Sequence, residues 1–353
     1  MKKIRIAQIG VEHDHAQMTM TALLALPDIF EVVGYCDPAE SGVLVNGQVM
    51  VTGYLLKKGL HILGEDAYAG VPKYTISELL AMDDLDAMAI ETSETNLFKY
   101  ALLFAEKGIH VHMDKPGGLE YADFVRLTET CKKTGAILHL GYMYRYNPEY
   151  KRLLQEVRDG KYGEIYSVEC HMDCKHPDQK RDWLKKYPGG MMFFLGCHLV
   201  DIIYTIMGEP EEVLALNTST GINGAQGEDY GFAVFRYPHG VSFAKTCAAE
   251  PGGFLRRQLV VCGEKGTVQF MPFEAYEGGT GSSSLYTRVR TVDSDLGNWG
   301  TDGTYRETSF DRYMPMLKAF ASYVRGEAEN PYTSEYELRL YRLLMKACGK
   351  EVG

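Results

Sequence analysis

A lysine stands where an apolar run stops. In "HVHMDKPGG", His110 to Gly118, Lys115 follows a stretch with the residue types of a buried strand. Parallel strands deliver side chains from their C-terminal ends to a crevice, so this ammonium is either chemistry or only the hydrophilic end of a strand. A second stretch, "IGVEHDHA", follows the first apolar run. In a doubly wound sheet that turn receives a dinucleotide's diphosphate on bare glycine backbone and helix N-terminal amides. Only Gly10 matches the first glycine of the G-x-G-x-x-G pattern; Glu12 and His15 occupy the other two places. A carboxylate about 4 Å from a diphosphate costs about 1 kcal/mol in water and several times that in a partly buried site. Binding therefore requires Glu12 to turn away or to be neutralised by His13 or His15; alternatively, the two histidines decorate a surface turn. Asp37, in "GYCDP", is the stronger cofactor signal. An acid about 20 residues past the glycine turn accepts hydrogen bonds from an adenosine ribose and repels a 2'-phosphate, favouring NAD over NADP. The competing reading is a strand-end Asp that opens a turn before Pro38.

Such residues need elements to carry them. "IRIAQIG", "FEVVGYCD", "LDAMAIET", "IHVHMDK" and "GAILHLGYM" read as strands. Helical patterns lie among them in "AQMTMTALLAL", "YALLFAEKG" and "LEYADFVRLTETCKKTG". Alternation of this kind means crossover units and a parallel sheet covered on both faces. The fold class is α/β, with a doubly wound domain over residues 1–140. From 141 to 353 the rhythm changes. "NPEYKRLLQEVRDG" is a helix with proline near its start and glycine after its end. Strands follow in "EIYSVECHMD", "EEVLALNTS", "YGFAVFRYP", "GVSFAKTCA", "QLVVCGEKGTVQFM" and "LYTRVRTV", with "YPHG" and "CGEKG" as hairpin turns. They predict a large, mostly antiparallel open sheet, with one long helix, "GGMMFFLGCHLVDIIYTIMG", between its first two strands and two helices closing the chain.

The 353 residues exceed what one core usually serves, which also argues for two domains. A net charge of -10 without a basic tract excludes a general nucleic-acid binder. Glu12 and Asp14 interrupt the first apolar run before a signal-peptide core could form, and His198 and Asp201 break the longest one. A cytoplasmic protein is expected. Of eight scattered cysteines only Cys170 and Cys174 are close, sharing a face if both lie on a strand. No second pair completes a zinc site, so reduced buried thiols and no metal are expected. "GGTGSSS", residues 278–284, reads as a flexible loop too brief to be a domain linker.

"HVHMDKPGG" resembles the E-K-P motif of the Gfo/Idh/MocA oxidoreductases, the family of glucose-fructose oxidoreductase and inositol dehydrogenase. The preceding "AMAIETSETNLFKYALLFAEKGI" is similar to its strand, T-P-N-x-x-H turn and helix, with Thr92 retained from the turn. "GYMYRYNP", "GKYGEIYSV" and "VVCGEKGTVQF" resemble later segments, and "PGGMMFFLGCHLVDIIYTIMGEPEEV" resembles the G-G-G-x-x-x-D-x-G-x-H-x-x-D helix. The matches cover most of the chain in order.

The resemblance implies an N-terminal Rossmann domain, a C-terminal α/β domain whose open sheet carries substrate or a subunit interface, and NAD(P)-dependent chemistry on sugar or polyol hydroxyls. It implies a catalytic Lys at Lys115 and a catalytic His at His198, whereas the family's Asp falls on Phe194. Oxidising a secondary alcohol needs a base for the hydroxyl proton, which suits a neutral imidazole, and a positive group beside the growing alkoxide. Phe194 can neither orient His198 nor hold its proton, and should disfavour charge there by desolvation. Asp201 could face the same side. Cofactor contacts are expected from Gly10, Glu12, His13, His15, Asp37, Thr92, Lys115 and Pro116, the last after a cis peptide as the resemblance suggests. Tyr142, Arg145 and Asn147 are expected to wall the nicotinamide, and His171, Asp173 and His176 to face substrate. A small carbohydrate-like substrate and a homo-oligomer through the C-terminal sheet follow. An NAD-binding sensor that lost turnover, or an NAD-recycling lyase or glycosidase, are the alternatives.

Overall fold

The computed structural model describes residues 2–11, 13, 15–38, 67–277, 285–293 and 303–352, with a short ribbon, β3 (Leu44–Val45) and β4 (Gln48–Val49). Glu12 and the "GGTGSSS" segment lie outside the described residues. The chain divides into two compact units, one of residues 1–143 with 312–341, the other of 144–311 with 342–353.

In the first unit, β1 (Ile4–Ile9), β2 (Phe30–Cys36), β5 (Ala87–Ile90), β6 (His110–Met113) and β7 (Leu138–Leu140) form a parallel sheet in the order β2-β1-β5-β6-β7. Its central strands are apolar along nearly their whole length because both faces are covered; all of "AMAI" in β5 is buried. Among the described residues the helices are α1 (Ala16–Leu24), α2 (Ile76–Leu80), α3 (Leu97–Ala105) and α4 (Tyr121–Thr134), joined late in the chain by α8 (Met314–Val324). Thr75 and Glu78 cap α2 reciprocally. α4 ends at Gly135, after Lys132 and Lys133 in its last turn. α3 lies against α4, and α1 against α8.

Residues 312–341 belong with the first unit, whereas the change of rhythm in the sequence places everything from 141 onward in a second domain. Phe320 of α8 packs on His112 and His139, and the Arg325 guanidinium donates to the carbonyls of Lys2 and Ile29. An amphipathic pattern shows that a helix has an apolar face, but not which sheet will cover it.

The second unit is built on a nine-stranded sheet. Its strands run β14 (Ala275–Tyr276), β15 (Leu285–Asp293), β13 (Gly266–Phe270), β12 (Gln258–Gly263), β8 (Ile165–His171), β11 (Gly240–Cys247), β10 (Tyr230–Tyr237), β9 (Glu212–Ala215), with β16 (Thr304–Phe310) also on β15. Among the described residues only the β8–β11 pairing of this sheet is parallel. The two expected hairpins are present, closing at Tyr237–Gly240 and Gly263–Gly266. β8, β10, β12 and β13 alternate buried with part-exposed positions, as strands covered on one side do. α5 (Pro148–Arg158) starts on Asn147, which caps it, with Pro148 in the first turn. α6 (Asp178–Trp183) follows β8; the expected long helix is a π-helical turn, Met192–Gly196, running into α7 (Cys197–Met207), which covers β8 and β11. The last helix, α9 (Ser334–Ala347), has residues 334–341 in the first unit and 342–347 in the second.

The eight cysteines are free thiols, and Cys131, Cys170 and Cys174 have their pKa values raised by burial. Cys170 and Cys174 are not on one strand face, because β8 ends at His171. Among the described residues, no helix is long and apolar enough to cross a membrane.

Candidate active site

In the first unit the site is assembled at the C-terminal edge of the parallel sheet. Gly10 follows β1 at φ +95°, and a Cβ there would lie 2.3 Å from the Glu91 carbonyl oxygen. Only glycine lets the ends of β1 and β5 come this close. The turn it opens buries His13, which the surface-turn reading left outside, and brings His15 to the N-terminus of α1. His15 gives that helix no side-chain cap, because its ring is engaged elsewhere.

That engagement is with Asp114, the residue just after β6. Asp114 Oδ2 lies 2.7 Å from His15 Nδ1 and 3.0 Å from His13 Nδ1, while Oδ1 accepts the Lys115 backbone N–H at 2.6 Å. Glu91, just after β5, accepts the Thr19 hydroxyl proton at 2.8 Å with one oxygen and turns the other toward His13 Nδ1 at 3.6 Å. Glu94 Oε1 is 3.4 Å from His13 Nε2. Thr92 is buried between these two acids in sequence. Lys115 is 2% exposed, its peptide to Pro116 is cis, and its charge reaches His15.

Burial works against charge on every group here, and the neighbours decide the outcome. For His13, Asp114 and then Glu94 outweigh burial, so its pKa is well above the ordinary histidine value. His15 ends lower than usual: burial, His13 and Lys115 together exceed the pull of Asp114. Asp114 is held well below the carboxylate range, burial being overcome by the two imidazoles. Glu91 goes the other way, to about 8, through burial and the Asp114 charge beside it. These shifts favour charge on His13 and Asp114 and disfavour it on His15 and Glu91. Asp37, just after β2, is partly exposed, with Lys73 Nζ 3.3 Å from its Oδ2.

The second unit holds His198 in the first turn of α7, 2% exposed, edge-on to the Tyr144 ring with centroids 4.9 Å apart. The Tyr144 hydroxyl donates to Glu274, which also pairs with Arg257; all three are buried. Phe194 sits on the π-helical turn with its ring 5.4 Å from Trp183 and 6.2 Å from His176. Lys180 covers both rings, its Nζ 4.5 Å from the Phe194 centroid and 3.8 Å from that of Trp183. Asp201 accepts two hydrogen bonds from Arg145 Nε at 3.0 Å and one from Nη2 at 2.8 Å, a buried fork that occupies both side chains. Asn147 caps α5 and donates to Thr287 Oγ1 at 2.8 Å. Tyr142 is buried in the first unit, so the expected wall of Tyr142, Arg145 and Asn147 is not one set within a unit. Asp173 pairs with Lys245 at 2.9 Å, and Lys245 also binds Glu250. Burial raises the Asp173 pKa against the opposing Lys245, and burial lowers that of the part-exposed His171. His176 is part-exposed on the segment after β8.

Asp114, Glu91 and Glu94 were missed as site residues. Asp114 stands inside the motif that drew attention to Lys115, and a carboxylate next to a strand-end lysine was the available signal. Lys180, Arg257 and Glu274 carried none, since ordinary surface positions hold the same residue types.

Residues 4–142 match the oxidoreductase family with an NAD-binding Rossmann fold, and residues 150–269 match the GFO/IDH/MocA C-terminal domain. The uncharacterized oxidoreductase YdgJ of Escherichia coli is 24% identical over 74% of this chain and 77% of that protein. The myo-inositol 2-dehydrogenase of Thermotoga maritima is 26% identical over 78% of this chain and 80% of its own. The aldose-aldose oxidoreductase of Caulobacter crescentus, solved with glycerol, shares the fold with a TM-score of 0.74 at 19% identity, over 98% of this chain and 96% of that one. By both of its domains, the chain belongs to the GFO/IDH/MocA family of oxidoreductases with an NAD-binding Rossmann fold.

Proposed function

We propose that this protein transfers hydride between a secondary hydroxyl of a sugar, polyol or related small molecule and the nicotinamide of NAD. The observation that carries the reading is Lys115, a nearly fully buried lysine at the C-terminal edge of a parallel sheet, where open α/β folds bind their ligands. The chain fits a dinucleotide at two points: the bare backbone of Gly10, where a side chain has no room, and the Asp37 carboxylate at the end of β2. Accepting the hydride is what a bound nicotinamide would supply.

The chain's own residues handle the proton and the charge. His198 takes the hydroxyl proton on a neutral imidazole, oriented by the Tyr144 ring in place of the acid that Phe194 replaces. Lys115 stabilises the developing alkoxide. Asp37 favours NAD by repelling a 2'-phosphate, although Lys73 beside it weakens that repulsion. We assign the protein to the cytoplasm, in keeping with eight free thiols, and to a homo-oligomer formed through the second-unit sheet, where Leu214, Leu216 and Val241 are exposed.

The test is incubation with NAD or NADP and a panel of sugars and polyols, following reduced nicotinamide and sugar products separately. NADH accumulation with one polyol supports the reading, and product without net NADH supports the recycling alternative. Dinucleotide binding without turnover supports a sensor, and no dinucleotide binding rules out all three.

A further inference from the structure

The cluster at the sheet edge has a second capacity. His13, His15 and Asp114 each offer a donor atom within 4.8 Å of the others, from the turn before α1 and the residue just after β6. Glu91, 1% exposed, adds an oxygen that makes no hydrogen bond and is aimed at His13 Nδ1 from 3.6 Å. Metal bonds of about 2.0–2.2 Å in a tetrahedral site put neighbouring donors about 3.3 Å apart. The separations of 2.7, 3.0 and 3.6 Å found here bracket that spacing.

His13 Nδ1 is also contested. It accepts a 3.2 Å hydrogen bond from the His15 backbone N–H while facing the oxygens of Asp114 and Glu91. One ring nitrogen cannot accept that proton and donate to carboxylates at once. A cation on that lone pair would replace the His15 N–H contact and join the ring to both acids. The outer contacts suit ligands: Thr19 holds the other oxygen of Glu91, the Lys115 amide holds that of Asp114, and Glu94 lies 3.4 Å from His13 Nε2.

We propose that His13, His15 and Asp114, with Glu91 as fourth ligand, form a site for a divalent first-row transition metal of the zinc type. Two imidazoles with two carboxylates select such ions over magnesium or calcium. The site does not depend on the dinucleotide reading, because all four ligands belong to the protein.

The experiment uses full-length, tag-free, chelator-treated protein without nucleotide, titrated with Zn²⁺ in a calorimeter and with Co²⁺ in a spectrophotometer. The expected result is one Zn²⁺ per chain, a dissociation constant of about 1 μM or tighter, and the visible absorption of tetrahedral Co²⁺. His13→Gln and His15→Gln should each weaken binding at least about tenfold, while His239→Gln in the exposed β10–β11 turn should not. Absent binding, or binding untouched by both site variants, overturns the proposal. If those variants do not fold, X-ray absorption of the wild-type Zn²⁺ complex decides: two imidazole ligands support the site, and none overturns it.

Discussion

His15 Nδ1 lies 2.7 Å from Asp114 Oδ2, tying the N-terminus of α1 to the end of β6 through a part-exposed imidazole and a buried carboxylate. The same carboxylate oxygen faces His13 at 3.0 Å, so one Asp holds the turn after β1 in place. Asp114→Asn keeps the shape and removes the charge opposite His13. Loss of one partner from a buried pair costs about 3–5 kcal/mol. Urea unfolding at neutral pH should show a loss of that order; a change under about 0.5 kcal/mol would mean the cluster is no more than a surface ion pair.

Gly10→Ala tests the close approach of β1 and β5. The added Cβ would meet the Glu91 carbonyl oxygen at 2.3 Å, in a backbone conformation that L-residues avoid. Strain and overpacking together should destabilise the protein by at least about 2 kcal/mol. Dinucleotide binding, read by fluorescence titration, should weaken about tenfold or more, because the turn must shift. An unchanged melting temperature and affinity would contradict the tight turn.

Lys115→Met should lower kcat/KM on the best polyol by about 10²–10³-fold while dinucleotide affinity changes little. Lys115→Arg keeps the charge but not the point geometry and should recover only part of the loss. Full activity in the Met variant would remove Lys115 from the chemistry.

A pH-dependent contribution to stability is expected at Glu156 on α5. Burial raises its pKa, but hydrogen bonds from Lys161, Tyr162 and Arg152 outweigh this and depress it from the usual 4.5 to about 2. A carboxylate whose folded pKa is depressed stabilises the protein above its unfolded pKa and loses that contribution as pH falls through the folded value. Glu156→Gln should therefore cost about 1–2 kcal/mol at neutral pH, after allowance for solvent screening of Lys161 and Arg152. The gap from wild type should begin to close below about 4.5 and vanish only below about 2. A difference that stays constant in denaturant melts across that range would exclude the carboxylate as its source.

The alternation of apolar strands and helices up to "GAILHLGYM", and the hairpin turns "YPHG" and "CGEKG", were legible because side-chain periodicity and turn chemistry are local properties. β16, "TYRETSF", escaped notice because it is mostly polar and takes its structure from pairing with β15. The segment 312–341 could not be placed, since an amphipathic helix does not name the surface it covers.

At the candidate site, the sequence alone was enough to single out Lys115, His198, Gly10 and Asp37, whose types and offsets carry a family pattern. Only the tertiary structure decided the company those residues keep. It buried His13 among Asp114, Glu91 and Glu94, and it engaged Arg145 with Asp201. The reason is physical: residue type and spacing report what a group can do, whereas its charge state and partners depend on burial and on side chains brought from elsewhere in the chain.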